Sequence, residues 1–232
     1  MMRVGFDMDG VLADFESAFR EIERDLFGPG GESALPGADH EAEPTSEGIA
    51  ADAPAQGSAK EIGRRRRAVW ERIRSTEDFW TTLKPTDPRA VRRLHGQMLR
   101  HRWEVVFITQ RPATAGDTVQ RQTQRWLAQQ GFDMPSVVVI AGTRGAAINA
   151  LRLTHHVDDS PRNCVDVKTD STAMPILIVR GRNDVAARQA AKLGMGVAAS
   201  IDECLTMLEE ASGPPQRPGV LRRLASIVSW NG

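Results

Sequence analysis

The chain reads as an α/β protein: a Rossmann-like parallel sheet flanked by helices, with a small helical cap inserted after the first strand. Three observations predict this. Short apolar runs recur at 3–6, 104–108, 136–140, 155–157, 176–179 and 196–198, and most are continuous rather than alternating, as strands covered on both faces require. Helical patterns separate the later runs, and strand followed by helix, repeated, builds a parallel sheet with right-handed crossovers. About ninety residues lie between the first run and the second, where a crossover needs only a dozen or so, so an extra subdomain is inserted there.

Taken in order, the first strand presents Val4 and Phe6 to the core and delivers Asp7 at its carboxyl end, the edge where open parallel sheets bind ligands. Gly10 then lets the chain turn sharply. Segment 15–27 is helical by the spacing of Phe15, Phe19, Ile22 and Leu26, and 64–79 is the second cap helix. Between them, 28–59 is rich in Gly, Pro, Ala and Ser, with six acidic residues and no Lys or Arg, a composition that predicts disorder. Such an insertion costs little closure entropy. Arg64 to Arg67 follow, and in a neutral chain they read as a solvated helix face balancing the acidic loop rather than a nucleic-acid patch.

Helices at 90–100, 118–130, 145–151, 184–193 and 202–210 join the later strands. Asp184 and Asp202 open theirs as first-turn acids or N-caps, and Gly131 and Gly194 fall where helix-ending glycines belong. Residues 212–219 form a Pro/Gly linker, and 220–230 a short amphipathic helix with Leu221, Leu224, Ile227, Val228 and Trp230 near its apolar side. That helix docks on the core or on another subunit, which leaves a homodimer open. The division is therefore a core of 1–14 and 86–211, a cap of 15–85, and a tail of 212–232.

Composition narrows the function classes. A chain of 232 residues buries one substantial core, or one core plus a small accessory domain. Lys+Arg and Asp+Glu balance at 30 each, which argues against a nucleic-acid polymer as partner. A small anionic substrate stays open, because local fields do not depend on net charge. The two cysteines, Cys164 and Cys204, lack metal-ligand spacing and read as reduced thiols of a cytoplasmic protein. No stretch approaches the ~20 apolar residues of a membrane span, and the first strand begins without a signal-like region, so no membrane role is expected.

The chemistry gathers at three strand ends. Asp7 and Asp9 stand two residues apart, so in near-extended backbone both point the same way and converge on one small target. Two close carboxylates repel unless a cation or a shared proton intervenes. The second strand ends in Thr109, and the fourth runs into Asp158-Asp159-Ser160-Pro161, which reads as a turn or helix cap. In a parallel sheet these ends share one edge. Asp7, Asp9 and an acid of the 158–159 pair make a hard oxygen site suited to Mg²⁺, which takes one or two carboxylates with waters and a substrate phosphate.

This pattern resembles the haloacid dehalogenase (HAD) superfamily of phosphohydrolases, whose four motifs fall here on Asp7/Asp9, Thr109, Arg144 and Asp158/Asp159. The string DMDGVLADFE, the Phe79-Trp80 pair followed by Leu83 and Pro85, and Gln124-Arg125-Trp126-Leu127 resemble the 5′(3′)-deoxyribonucleotidase branch in particular. The likeness covers most of residues 2–210 outside the acidic insertion.

The resemblance implies a Mg²⁺-dependent phosphomonoester hydrolase. Asp7 is then the nucleophile that forms an aspartyl-phosphate. Asp9 protonates the leaving oxygen, later takes a proton from water, and lends its backbone carbonyl to the metal. Thr109 hydrogen-bonds a phosphoryl oxygen, and Arg144 sets positive charge against the transferring group. Asp159 is the direct metal ligand with Asp7, and Asp158 acts from behind it. The implied substrate is a (deoxy)nucleoside monophosphate, its base in an aromatic slot of Phe15, Phe79 or Trp80. The alternative for those rings is packing of cap on core.

The chain departs from the pattern twice. Arg144 stands where the superfamily usually has Lys, and a planar fork is not a point charge. Its place between Thr143 and Gly145, ahead of the 155–157 strand, still matches a working phosphate neutraliser. Gln110-Arg111-Pro112 follows Thr109 in place of small residues; Gln110 and Arg111 are candidate substrate contacts, with a surface arginine before a turn proline as the other reading of Arg111. Other outcomes are a phosphatase for another small phosphoester, such as a sugar phosphate, or a noncatalytic binding protein on the same fold. The complete set of Asp7, Asp9, Thr109 and the acidic pair argues against the last.

Overall fold

The computed structural model describes residues 1–28, 56–181 and 184–213. Six parallel strands form one sheet: β1 (Arg3–Asp7), β2 (Glu104–Thr109), β3 (Ser136–Val139), β4 (His155–Asp158), β5 (Met174–Ile178) and β6 (Gly196–Ala198). Their order is β3-β2-β1-β4-β5-β6. The chain runs outward from β1 through β2 to β3, then returns to β4 on the other side of β1. That reversal opens a crevice at the carboxyl ends of β1 and β4. Val4, Phe6, Phe107, Ile108, Val157 and Ile176 are no more than 3% exposed, so the continuous apolar runs are strands covered on both faces.

The helices are α1 (Phe15–Phe27), α2 (Gln56–Ser75), α3 (Pro88–His101), α4 (Val119–Gln129), α5 (Arg144–Ala150), α6 (Pro161–Asp170), α7 (Asp184–Lys192) and α8 (Ile201–Ser212), with a 3-10 turn at Phe79–Thr81. Side chains of Asp14, Asp87, Thr118, Thr143, Ser160 and Ser200 each accept a first-turn backbone N–H, which fixes six helix starts. The body of α6 is not among the helices expected from sequence. Ser160 and Pro161 open it as N-cap and first residue, which decides between the turn and the helix cap that this segment allows in favour of the cap.

The second insert helix also differs from its expected bounds. It begins at Gln56, inside the stretch expected to be disordered, and ends at Ser75 rather than 79. Asp78 explains the early end: it adopts a left-handed φ of 51°, while its carboxylate accepts from the Asp117 N–H at 2.8 Å and pairs with Arg125 at 2.7 Å. Arg64 and Arg65 pair with Glu61 at 2.9 and 3.1 Å, and the Arg65 guanidinium lies over the Phe27 ring at 5.1 Å. The arginine run therefore includes contacts within α2 and to α1, in keeping with a helix face. The acidic stretch over 29–55 and the tail over 214–232, with its linker and amphipathic helix, lie outside the described residues.

The insert shares its core with the sheet. One apolar cluster joins Val4 and Phe6 to Phe15, Phe19, Val69, Trp70, Ile73, Trp80, Leu94 and Trp126. The two ends of the insert run side by side: the Asp14 N–H donates to the Lys84 carbonyl and the Thr86 N–H to the Leu12 carbonyl, each at 2.8 Å. Cys164 and Cys204 are free and buried. Among the described residues, no helix is long and apolar enough to cross a membrane.

Candidate active site

Register brings the predicted residues to one edge. Asp7 pairs with Ile108, one residue before Thr109, and Phe6 pairs with Val157, one residue before Asp158. Asp7 is 3% exposed, and Thr109 and Asp158 are fully buried. Carboxylate oxygens of Asp7, Asp158 and Asp159 all lie within 4.8 Å of one another. Gly10 makes part of this approach available. Its φ is 74°, and a Cβ there would overlap the Asp159 carboxylate.

Arg144 supplies the cluster's buried cation. Its Nη2 donates to Asp7 Oδ1 at 2.7 Å, and its Nε lies 3.3 Å from Asp158 Oδ2. Local structure aims it: Thr143 caps α5, Gln110 Nε2 donates to the Gly142 carbonyl at 2.9 Å, and Gly145 lets α5 close on α6, since a Cβ there would overlap the Asp166 carbonyl. Gln110, a candidate substrate contact, thus ties the loop after β2 to the loop that carries Arg144.

Asp158 is held on several sides. Oδ1 accepts from the Ser160 N–H at 2.9 Å, Asn163 Nδ2 lies 3.2 Å from both oxygens, and His156 Nε2 lies 2.9 Å from Oδ2. Because a carboxylate only accepts, this contact assigns His156 the Nε2–H tautomer. Burial works to raise the Asp158 carboxyl, but the His156 hydrogen bond and the Arg144 charge outweigh it and hold the group below the ordinary carboxylate range. Burial pushes His156 down despite Asp158, which favours the neutral imidazole.

Asp9 departs from its expected direction. Its side chain is not in the carboxylate cluster with Asp7; it points to Arg111, whose Nε and Nη2 donate to Oδ2 and Oδ1 at 2.7 and 2.6 Å. The physical reason is that β1 ends at Asp7 and the chain bends at Met8, so the alternation of an extended strand stops before Asp9. Arg111 is correspondingly no surface residue: its side chain is fully buried. Thr109 Oγ1 accepts the Arg111 N–H at 3.4 Å within this turn.

The three rings lie together but face one another. Phe15, Phe79 and Trp80 are 1%, 4% and 1% exposed; Phe15 stacks on Trp70 at 5.5 Å and meets Trp80 at 5.7 Å, and Phe79 meets Trp80 edge-on at 5.0 Å. In this structure they pack the insert onto the core, the alternative open at the sequence level. Reasoning from sequence also missed His156 and Asn163. The Ser160-Pro161 helix start was the available signal for Asn163, since it places that residue in the first turn of α6, beside Asp158.

The arrangement can hold a hard divalent cation beside a buried guanidinium, a pairing suited to a phosphoryl group. Solved structures with this fold belong to HAD-type hydrolases. A candidate beta-phosphoglucomutase from Thermotoga maritima superposes with a TM-score of 0.52 at 19% identity, covering 90% of this chain and 99% of that one. A phosphonoacetaldehyde hydrolase-like protein from Oleispira antarctica gives 0.52 at 12% identity over 91% and 92%. D,D-heptose 1.7-bisphosphate phosphatase from B. bronchiseptica, complexed with magnesium and phosphate, gives 0.50 at 13% identity over 91% and 99%. No protein-family model matches the chain, and no curated protein matches its sequence. The chain therefore has the HAD-type hydrolase fold.

Proposed function

We propose that the protein is a Mg²⁺-dependent phosphomonoester hydrolase that works through an aspartyl-phosphate on Asp7. The observation that carries this reading is the meeting of Asp7, Asp158 and Asp159 within 4.8 Å, with Arg144 in contact with two of them, at the carboxyl edge of a parallel sheet. The donor set fits the cation: Asp7, Asp159 and the Asp9 backbone carbonyl would hold it, with Asp158 oriented by His156, Ser160 and Asn163. When bound, Mg²⁺ offsets the repulsion between an anionic nucleophile and an anionic phosphate.

The remaining roles belong to side chains. Asp7 attacks phosphorus, Asp9 gives a proton to the departing oxygen and later takes one from water, and Thr109 hydrogen-bonds a phosphoryl oxygen. Arg144 sets its charge against the phosphoryl oxygens arriving beside Asp7.

For the substrate, the nucleotidase-like motifs favour a (deoxy)nucleoside monophosphate. A second reading, a sugar phosphate, is favoured by the burial of Phe15, Phe79 and Trp80, which leaves those rings packed on protein rather than open to a base. Two of the structural neighbours are named for sugar phosphates. A panel of an aryl phosphate, nucleoside monophosphates and hexose phosphates, run with Mg²⁺, separates these readings. Turnover that disappears in Asp7→Asn while the fold is kept supports the hydrolase; equal rates for Asp7→Asn and parent contradict it. Preference for nucleotides over every sugar phosphate supports the first substrate, and the reverse supports the second.

A further inference from the structure

We propose that Arg111 and Trp80 are positioning residues that fix the direction of the Asp9 carboxylate. The inference rests on the phosphatase reading of the same site. Arg111 holds Asp9 at two points, and its third nitrogen, Nη1, donates to Thr123 Oγ1 at 3.0 Å. The guanidinium carbon lies over the Trp80 ring, 4.7 Å from its centroid. Trp80 is fixed in turn: its N–H donates to Gln122 Oε1 at 3.1 Å and its indole Nε1 to the Pro112 carbonyl at 3.0 Å. Gln122 donates onward to the Asp117 carbonyl at 2.6 Å. The insert and α4 thus converge on one side chain whose fork ends on Asp9.

The geometry suits orientation. A single donor lets a carboxylate rotate about that contact, whereas two parallel bonds from a rigid fork set its plane. Each oxygen accepts one N–H from the fork, and a carboxylate has about four acceptor sites, so the contact leaves sites for the proton that Asp9 exchanges. In the first half-reaction the bond from Asp7 to phosphorus forms, the ester P–O bond breaks, and the leaving oxygen takes the proton from Asp9. In the second, water gives a proton to Asp9 as its oxygen bonds phosphorus, and the Asp7–phosphorus bond breaks. Both transfers need Asp9 directed at the oxygen opposite Asp7, and a misplacement of about 1 Å costs roughly 10²-fold. A buried ion pair alone is a weak device for stability, so its place on this carboxylate points to positioning.

Leaving-group dependence tests the inference, because a dinitrophenolate departs without a proton and an alkoxide does not. Arg111→Lys, Trp80→Phe, Asp9→Asn and the double variant Arg111→Lys/Asp9→Asn are compared with parent on an alkyl phosphate and on dinitrophenyl phosphate, with inhibition by inorganic phosphate and thermal unfolding alongside. Arg111→Lys is expected to lose about 10²-fold in the single-turnover rate of leaving-group release on the alkyl ester and under about 5-fold on the dinitrophenyl ester, with phosphate inhibition kept within about 3-fold. Trp80→Phe shows the same pattern at smaller size and carries the test if Arg111→Lys does not fold. In the Asp9→Asn background Arg111→Lys adds no further loss. Equal losses on both esters with weakened phosphate inhibition overturn the inference in favour of a phosphate contact. A lowered Tm with kcat unchanged per folded molecule overturns it in favour of a structural pair. A parent inert toward every phosphoester overturns the phosphatase reading itself, and the inference with it.

Discussion

Two buried arginines serve the two carboxylates at and just beyond the end of β1, and they do so differently. Arg144 touches Asp7 with one nitrogen and Asp158 with another, and Asp159 stands in the same carboxylate cluster. Arg111 closes a two-point fork on Asp9, with one cation for one anion. The first region gathers three carboxylates within reach of one small ion, an oxygen set that suits a hard divalent cation, while the second pairs one cation with one anion. On the proposed reading, one region receives a cation and an anionic group and the other holds a shape. A D-x-D spacing read as one convergent site is thus two neighbouring sites with separate electrostatics.

Breaking the Arg144 side has the largest expected effect. Arg144→Ala leaves close carboxylates without their guanidinium, so kcat falls by about 10²–10³-fold and the fold loses on the order of 3–5 kcal/mol. Arg144→Lys keeps the charge and is expected to keep or improve turnover. Steady-state kinetics and thermal unfolding on the three proteins check this; equal rates for all three would remove Arg144 from the chemistry.

The carboxylate cluster itself gives a smaller, activity-independent effect. Mg²⁺ at about 100 times its Kd is expected to stabilise the protein by about 2.7 kcal/mol, and Asp159→Asn to abolish most of that shift. A Tm indifferent to Mg²⁺, or equally responsive in Asp159→Asn, would contradict the placement of the cation at this cluster. Arg111→Lys, on the balanced side, is expected to keep the Mg²⁺ response.

His156 gives the smallest effect and fixes a sign. Its folded-state pKa is lowered from the ordinary 6.5 by burial, so the unfolded chain binds the proton more readily. The associated stability is complete above about pH 6.5 and is lost as pH falls toward the folded value, with a slope of at most about 1.4 kcal/mol per pH unit. His156→Gln keeps a donor for Asp158 and should flatten that slope in a Tm-against-pH series. An unchanged slope would mean that His156 is not what titrates.

Much of this was legible in the sequence. All six strands fall where apolar runs place them, and Asp7, Thr109, Asp158 and Asp159 were legible because strand ends in a parallel sheet share an edge, whereas Arg144, which opens a helix, came only from the resemblance to the HAD motifs. What failed was direction. The bend at Met8 turns Asp9 away from Asp7, and no periodicity reports such a bend. Arg111 stands before Pro112, which signals a turn and says nothing about where a long side chain in that turn goes. Phe15, Phe79 and Trp80 were read as slot or packing, and composition cannot separate the two, since an aromatic suits either a base or a core. Helix α6 was missed because Cys164 and Val167 alone face the core from its ten residues, too few for a clear helical pattern.

The most direct test of the divided arrangement is to trap the phosphoryl group. Asp9→Asn is mixed with dinitrophenyl phosphate and Mg²⁺, quenched in acid at short times, and its peptides are read by mass spectrometry. The leaving group needs no proton, so the first step proceeds, while the second stalls without a base for water. The expected result is one phosphoryl group on the peptide containing Asp7, absent when Asp7→Asn is added. Release of dinitrophenol by Asp9→Asn with no phosphorylated Asp7 peptide at any quench time would contradict the account.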